Sequence, residues 1–176
     1  MGGYWLAVPD IDLGLQGCQS AAEEVLTKGT ISFVTGSDQL DASALAIIND
    51  LAAVMAPCAE EAGLKAVIGG HSDNVGDQVS NLGLSQRRAI AVRREMMDRG
   101  VPAASLKALG FGDAQPIADN GTDAGRAANR RGELTLDTGT IEVPRGARIG
   151  GVAQEVPGSD TSLLDTVLAA DTERAE

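Results

Sequence analysis

The chain has 176 residues, 43% hydrophobic but only 2% aromatic, so its core is expected to rest on Ala, Val, Leu and Ile. That length fits one domain with some extra chain. The formal net charge of −11 argues against nucleic acid and anionic membrane surfaces as partners, because both would repel it. No run reaches the ~18 consecutive apolar residues of a membrane span. The opening MGGYWLAVPDIDLGLQGC has no basic start, and Asp10 and Asp12 break its apolar run, so no secretory signal is read there.

Residues 1–17 read as an N-terminal extension, followed by a short helix over 18–27 with Ala21, Ala22 and Val25 on one face. Ile31–Val34 is β-branched and aromatic, which predicts a strand. After the polar turn TGSDQLD, Asp41 or Ser43 caps a helix through Leu45, Ile48, Leu51, Ala52 and Met55, with Pro57 as its expected end. Lys65–Gly69 is the second strand. A second long helix is expected from Asn81 to Arg99, stopped by Gly100. Ser105–Gly112 gives a third strand, then a loop with at most one helical turn, then a fourth strand over Gly132–Leu136. Strands alternating with helices point to an α/β sheet covered by helices on one face, with a crossover helix making the strands it joins parallel neighbours. Beyond Asp137 the signals weaken: residues 140–151 have the pattern of a hairpin strand, and 162–176 that of a short docking helix or an acidic tail. Residues 138–176 are expected to be a weakly ordered tail.

The two cysteines, Cys18 and Cys58, lie in no CxxC or Cys/His cluster, and with one His in the chain no metal site is expected. Their spacing fits either a disulfide or two buried thiols. The string LQGC at Leu15–Cys18 resembles a lipoprotein processing box but lacks the preceding apolar segment, and reads as chance.

The chemistry gathers in GGHSDNVGDQVSNLGLSQRRA, residues 69–89. Arg88 falls on the helical stripe of Leu84, Val92 and Met96, the face that should pack inward. A guanidinium there must be paired or reach a polar cavity, since burying an unpaired charge is costly. Asp73 lies just past the preceding strand, and strand ends and following helix starts meet at the ligand-binding edge of such sheets. Two arrangements satisfy the spacing. Either Asp73 and Arg88 form a direct ion pair, or a gap between them takes a zwitterion, with its ammonium on Asp73 and its carboxylate gripped bidentately by Arg88.

The same stretch resembles the signature of the OmpA-like peptidoglycan-binding domain, roughly G-x-T-D, a loop, then N-x-x-L-S-x-x-R-A-x-x-V. Gly70, Ser72 (for Thr), Asp73, Asn81, Leu84, Ser85, Arg88, Ala89 and Val92 are in register. Downstream, GVPAASLKALGFGDAQPIADN and TDAGRAANRRGEL resemble further motifs of that family, and ISFVTGSDQL its first strand and loop, so the likeness covers about 18–136. It implies a β/α/β/α/β-β sandwich with a four-stranded mixed sheet, and a domain over 18–137. It further implies non-catalytic binding of the peptidoglycan stem peptide through meso-diaminopimelate, with Asp73 on the ammonium and Arg88 on the carboxylate. Thr35, Gly36, Asn81 and Arg131 align with other site positions. No cofactor is implied. The implied place is the periplasm, with any outer-membrane tether outside this chain. In some family members a disulfide ties the first helix to the end of the next, and Cys18 and Cys58 resemble that pair. Ser72 keeps the hydroxyl of the usual Thr, Gly132 replaces a usual Val, and no Asn stands at Gly36.

Other chemistries fit less well. His71, Ser72 and Asp73 are adjacent on a strand end, point in alternating directions and cannot form a triad. No G-K-[ST] follows the glycines, and DNVGD lacks calcium-loop spacing. A domain of the same fold that has lost peptidoglycan binding and serves structure or protein interaction is the alternative function. An envelope hydrolase is the third.

Overall fold

The structure, a computed structural model, describes residues 12–137. The possible strand at 140–151, the segment 162–176 and most of the N-terminal extension lie outside the described residues.

Helix α1 (Leu15–Thr27) turns Cys18, Ala22 and Val25 inward and packs on α2 (Ala42–Ala62). Asp41 caps α2: its Oδ1 accepts from the Ala44 N–H at 2.8 Å, and its Oδ2 accepts from the Ser32 hydroxyl. Ile48, Leu51 and Met55 are fully buried along one face, each stabilising the fold by roughly 1.5–3 kcal/mol relative to exposure. Pro57 does not end this helix, as the sequence pattern suggested. The chain continues helically to Ala62, because Val54, Met55 and Cys58 are held in the core on either side of the proline, and Gly63 (φ +67°) supplies the stop. Averaged over its most apolar window, α2 has mean hydropathy 1.6, long and apolar enough to cross a membrane. The count of consecutive apolar residues missed this because Asn49 and Asp50 interrupt the run. In the fold, 44% of that window is buried and its apolar face is the core.

The sheet has the order β1 (Ile31–Ser32), β4 (Arg131–Asp137), β2 (Lys65–Gly70), β3 (Leu106–Gly110). As expected, β2 and β3 are parallel neighbours across α3 (Gln78–Asp98). However, β1 and β2 are not neighbours: β4 lies between them, antiparallel to both. Its register with β2 runs over six pairs, from Lys65↔Asp137 to Gly70↔Gly132, against two with β1, so β2 is its main partner. The outer edge of β3 is closed by α3 side chains. The Gln86 amide donates to the Ala108 carbonyl at 3.2 Å and accepts from the Gly110 N–H at 2.7 Å, standing in for a strand peptide, while Arg93 Nε donates to the Leu106 carbonyl at 3.1 Å.

Two glycines let α3 come this close. A Cβ on Gly70 would lie 1.9 Å from the Ser85 carbonyl oxygen, and one on Gly110 2.6 Å from the Gln86 nitrogen. Helix α3 also starts earlier than its apolar pattern suggests, because Asp77 accepts from the Ser80 N–H at 2.9 Å and caps it. Arg88 therefore sits a turn deeper in the helix than expected. The segment expected to be a loop contains α4 (Asp123–Asn129), seven residues long, capped by Thr122 Oγ1 accepting from the Gly125 N–H at 3.0 Å.

Cys18 and Cys58 form a disulfide between α1 and α2, Cα–Cα 5.7 Å. With it, Cys18 is committed to the core and the LQGC string to a helix start. The bridge closes a loop with a sequence separation of 40. Reduction, or Cys18→Ala with Cys58→Ala, is expected to cost about 3–4 kcal/mol, read as a fall in the urea midpoint against the oxidised chain. Gly70→Ala drives a methyl into the α3 backbone, and is expected to cost about 3 kcal/mol in the same measurement, whereas Gly63→Asn, a left-handed position open to solvent, should cost far less.

Candidate functional site

A cavity of about 440 Å³ opens where the carboxyl ends of β1 and β2 meet the start of α3. The loop after β1 contributes Thr35 and Gly36, the loop after β2 Ser72, Asp73 and Val75, and helix α3 Asn81, Leu84 and Arg88. The fourth wall is α4 and its end, with Asp123, Arg126 and Arg130.

Arg88 is fully buried. Its Nε donates to the Ser37 carbonyl at 2.9 Å and its Nη1 to the His71 carbonyl at 3.0 Å, and its guanidinium lies 5.1 Å from the centre of the Phe33 ring. Burial pushes its pKa below the usual arginine value; Arg130 and Arg87 push the same way, and Asp73 and Asp38 oppose them. An arginine remains charged under such shifts.

The direct Asp73–Arg88 ion pair, one of the two arrangements the spacing allowed, is not formed. Asp73 Oδ2 instead accepts from Arg130 Nη1 at 2.6 Å, and its Oδ1 from the Val75 N–H at 3.0 Å. Arg88 has carbonyls for neighbours because α3 lies tight on the glycines of β2 and directs the guanidinium across the strand end. Among the described residues its Nη2 has no hydrogen-bond partner, nor has Ser72 Oγ or Asn81 Nδ2, and all three residues line the cavity. Buried polar atoms are rarely left so. Three guanidiniums against two carboxylates give the cavity wall a formal +1 in a chain of −11.

Five of the six expected site positions, Asp73, Arg88, Asn81, Thr35 and Gly36, therefore share this cavity. Arg131 does not line it. As the first residue of β4 its side chain turns away, to the Gln115 carbonyl at 3.4 Å and Glu133 Oε2 at 3.0 Å. Arg126, Arg130 and Asp123 were not singled out from sequence. The signal was present: Arg126 and Arg130 are four apart, one helical face, once α4 is recognised as a helix.

On the other side of the strand end, His71 is buried and stacks on Phe111, ring centres 5.1 Å apart, with Nε2 3.3 Å from Glu133 Oε2. It packs there, apart from the cavity that holds Ser72 and Asp73. The hydrogen bond from His71, followed by that from Arg131, holds the Glu133 carboxyl at about 2, below the usual 4.5.

A partly unsatisfied, electropositive cavity at the strand ends of an α/β sheet is suited to hold a small anionic or zwitterionic group. The chain belongs to the OmpA family, whose pattern matches residues 32–130. It is 33% identical to outer membrane porin F of Pseudomonas aeruginosa over 129 residues, 73% of this chain and 36% of that one. It is 34% identical to the peptidoglycan-binding protein ArfA of Mycobacterium tuberculosis over 119 residues, 68% of this chain and 35% of that one. The chain thus spans about a third of the length of these curated relatives. Among solved structures, the peptidoglycan-associated lipoprotein from Burkholderia pseudomallei superposes with a TM-score of 0.59 at 29% identity, over 64% of this chain and 93% of that one.

Because the folded-state pKa of Glu133 is depressed, its contribution to stability is present above pH 4.5 and fades as the pH falls towards about 2. The stability gap between wild type and Glu133→Gln, followed as Tm against pH, is expected to close across that window. A constant gap would show that the carboxylate charge is not what stabilises.

Proposed function

We propose that this chain is a non-catalytic module that binds the stem peptide of peptidoglycan through meso-diaminopimelate and so tethers an envelope protein to the cell wall. The observation that carries the reading is the buried Arg88 guanidinium, with an unpartnered Nη2, in one cavity with Asp73. Diaminopimelate offers an ammonium and a carboxylate on one carbon. Arg88 Nη2, Asn81 Nδ2 and the Ser72 hydroxyl supply donors for the carboxylate, and Asp73, with lone pairs beyond its two present bonds, accepts from the ammonium.

The relatives support the same reading, since two carry peptidoglycan in their names and another the outer membrane. The place of action is the cell envelope, on its periplasmic side, where a disulfide such as Cys18–Cys58 persists. The chain has no catalytic part in this reading: the cavity groups are arranged to hold charge. A structural or protein-interaction domain that no longer binds the wall is the second reading, favoured by the engagement of Asp73 with Arg130 and by the missing side chain at Gly36.

Co-sedimentation with purified diaminopimelate-type peptidoglycan separates the two. Wild type is expected in the pellet. Asp73→Asn and Arg88→Lys, each checked for folding by circular dichroism, are expected to bind roughly tenfold more weakly or worse, through a lost charge and a lost fork respectively. Wild type remaining in the supernatant favours the second reading. Release of soluble muropeptides would instead make the chain an enzyme.

A further inference from the structure

We propose that Arg130 sets the ligand class of this cavity: it occupies the place on Asp73 that a ligand ammonium would take, so an amine is admitted only when the same ligand brings a carboxylate. The inference rests on the diaminopimelate reading and names a selectivity residue within it.

Arg130 Nη1 holds Asp73 Oδ2 at 2.6 Å, and the two side chains are only 18% and 12% exposed. The other Asp73 oxygen is bonded to the Val75 N–H. An incoming ammonium therefore either shares the Asp73 carboxylate with Arg130, on its remaining lone pairs, or displaces Arg130 from it. A lone amine does so at a loss, because it raises the formal charge of the wall from +1 and frees a guanidinium in a cavity that already contains Arg88. A zwitterion restores the balance. Its carboxylate meets the unpartnered Arg88 Nη2 and takes the released Arg130 as a second cation.

The backbone under Arg130 is fixed. The residue caps α4, and its neighbour Asn129 is fully buried with four hydrogen bonds to Ile117, Ala118 and Asn120. Arg126, one turn earlier, is engaged by Asp123 and the Asn120 carbonyl. So the Arg130 side chain is the part of this wall that can swing, and it swings between Asp73 and the ligand. Arg130 acts on the ammonium through Asp73, as a selectivity residue.

The test uses the full chain and calorimetric titration with two probes: free meso-diaminopimelate, and Nα-acetyl-lysine methylamide, which carries an ammonium and no carboxylate. Arg130→Gln is expected to bind the lysine derivative roughly tenfold or more tightly than wild type, while Arg130→Lys, which keeps the charge, does not. The preference for diaminopimelate over the lysine derivative then falls in Arg130→Gln alone. An amine affinity that is unchanged in Arg130→Gln, undetectable binding in both proteins included, overturns the proposal. Absence of diaminopimelate binding by wild type sinks the ligand assignment instead, and the amine arm still decides the part played by Arg130. Should Arg130→Gln fail to fold, the Arg130 Nε–H resonance of labelled wild type answers the question. It is expected to shift on titration with diaminopimelate, and a resonance that stays put at saturation overturns the exchange on Asp73.

Discussion

A guanidinium buried in the wall of the cavity is the constraint around which the rest of this domain is arranged. Arg88 is the largest fully buried side chain in the described residues. An unpaired charge in that place would cost several kcal/mol. The fold meets the cost in pieces: a carbonyl from the loop after β1, a carbonyl from the end of β2, and the face of Phe33. These come from segments far apart in sequence, so the guanidinium is satisfied only when loop, strand and helix are all in place. The same bonds make the site rigid, because Arg88 cannot move without releasing the loop that carries Thr35 and Gly36. Among the described residues no carboxylate is hydrogen-bonded to Arg88, although acidic residues are plentiful. That leaves the charge available to something from outside.

Glycine makes this possible. On β2 and β3, Gly70 and Gly110 are the floor on which α3 rests, and any Cβ at either would enter the helix backbone. Close approach brings Arg88 within reach of the His71 carbonyl. It also brings Gln86 and Arg93 to the exposed edge of β3, where they satisfy the backbone groups that a neighbouring strand would otherwise take. One packing distance thus serves both the site and the closure of the sheet.

Much of this was legible in the sequence because it is periodic. The stripe of Leu84, Arg88, Val92 and Met96 marks an inward face, and its arginine is anomalous against it; all but Leu84, which lines the cavity, are fully buried. Strand and helix order followed from alternation, and the neighbourhood of Asp73 and Arg88 from the geometry of strand ends. What escaped was set by tertiary context. Pro57 reads as a stop because the missing N–H is local, whereas the reasons for continuing, Cys58 and the core beyond it, are not. The pairing of β4 between β1 and β2 is a register over distant residues. Helix α4 is too short for a hydrophobic period, and its marks are a cap at Thr122 and an internal amide, Asn129, whose four hydrogen bonds go to the loop before the helix.

The adjacent arginines 130 and 131 show most clearly how sequence and site part company. By likeness of pattern, the second was assigned to the site. In the fold, α4 ends at Asn129 and β4 begins at Arg131, so a single residue joins helix to strand. Arg130 keeps the helical face shared with Arg126 and enters the cavity, while Arg131 obeys the alternation of the strand and turns to Glu133 on the opposite side. The two side chains diverge because two periodicities meet between them. With no slack at that junction, the seating of β4 in the sheet fixes where Arg130 stands over Asp73. The central position of β4, paired on both sides, is then part of the site, for it anchors the cavity wall that carries two of its three positive charges.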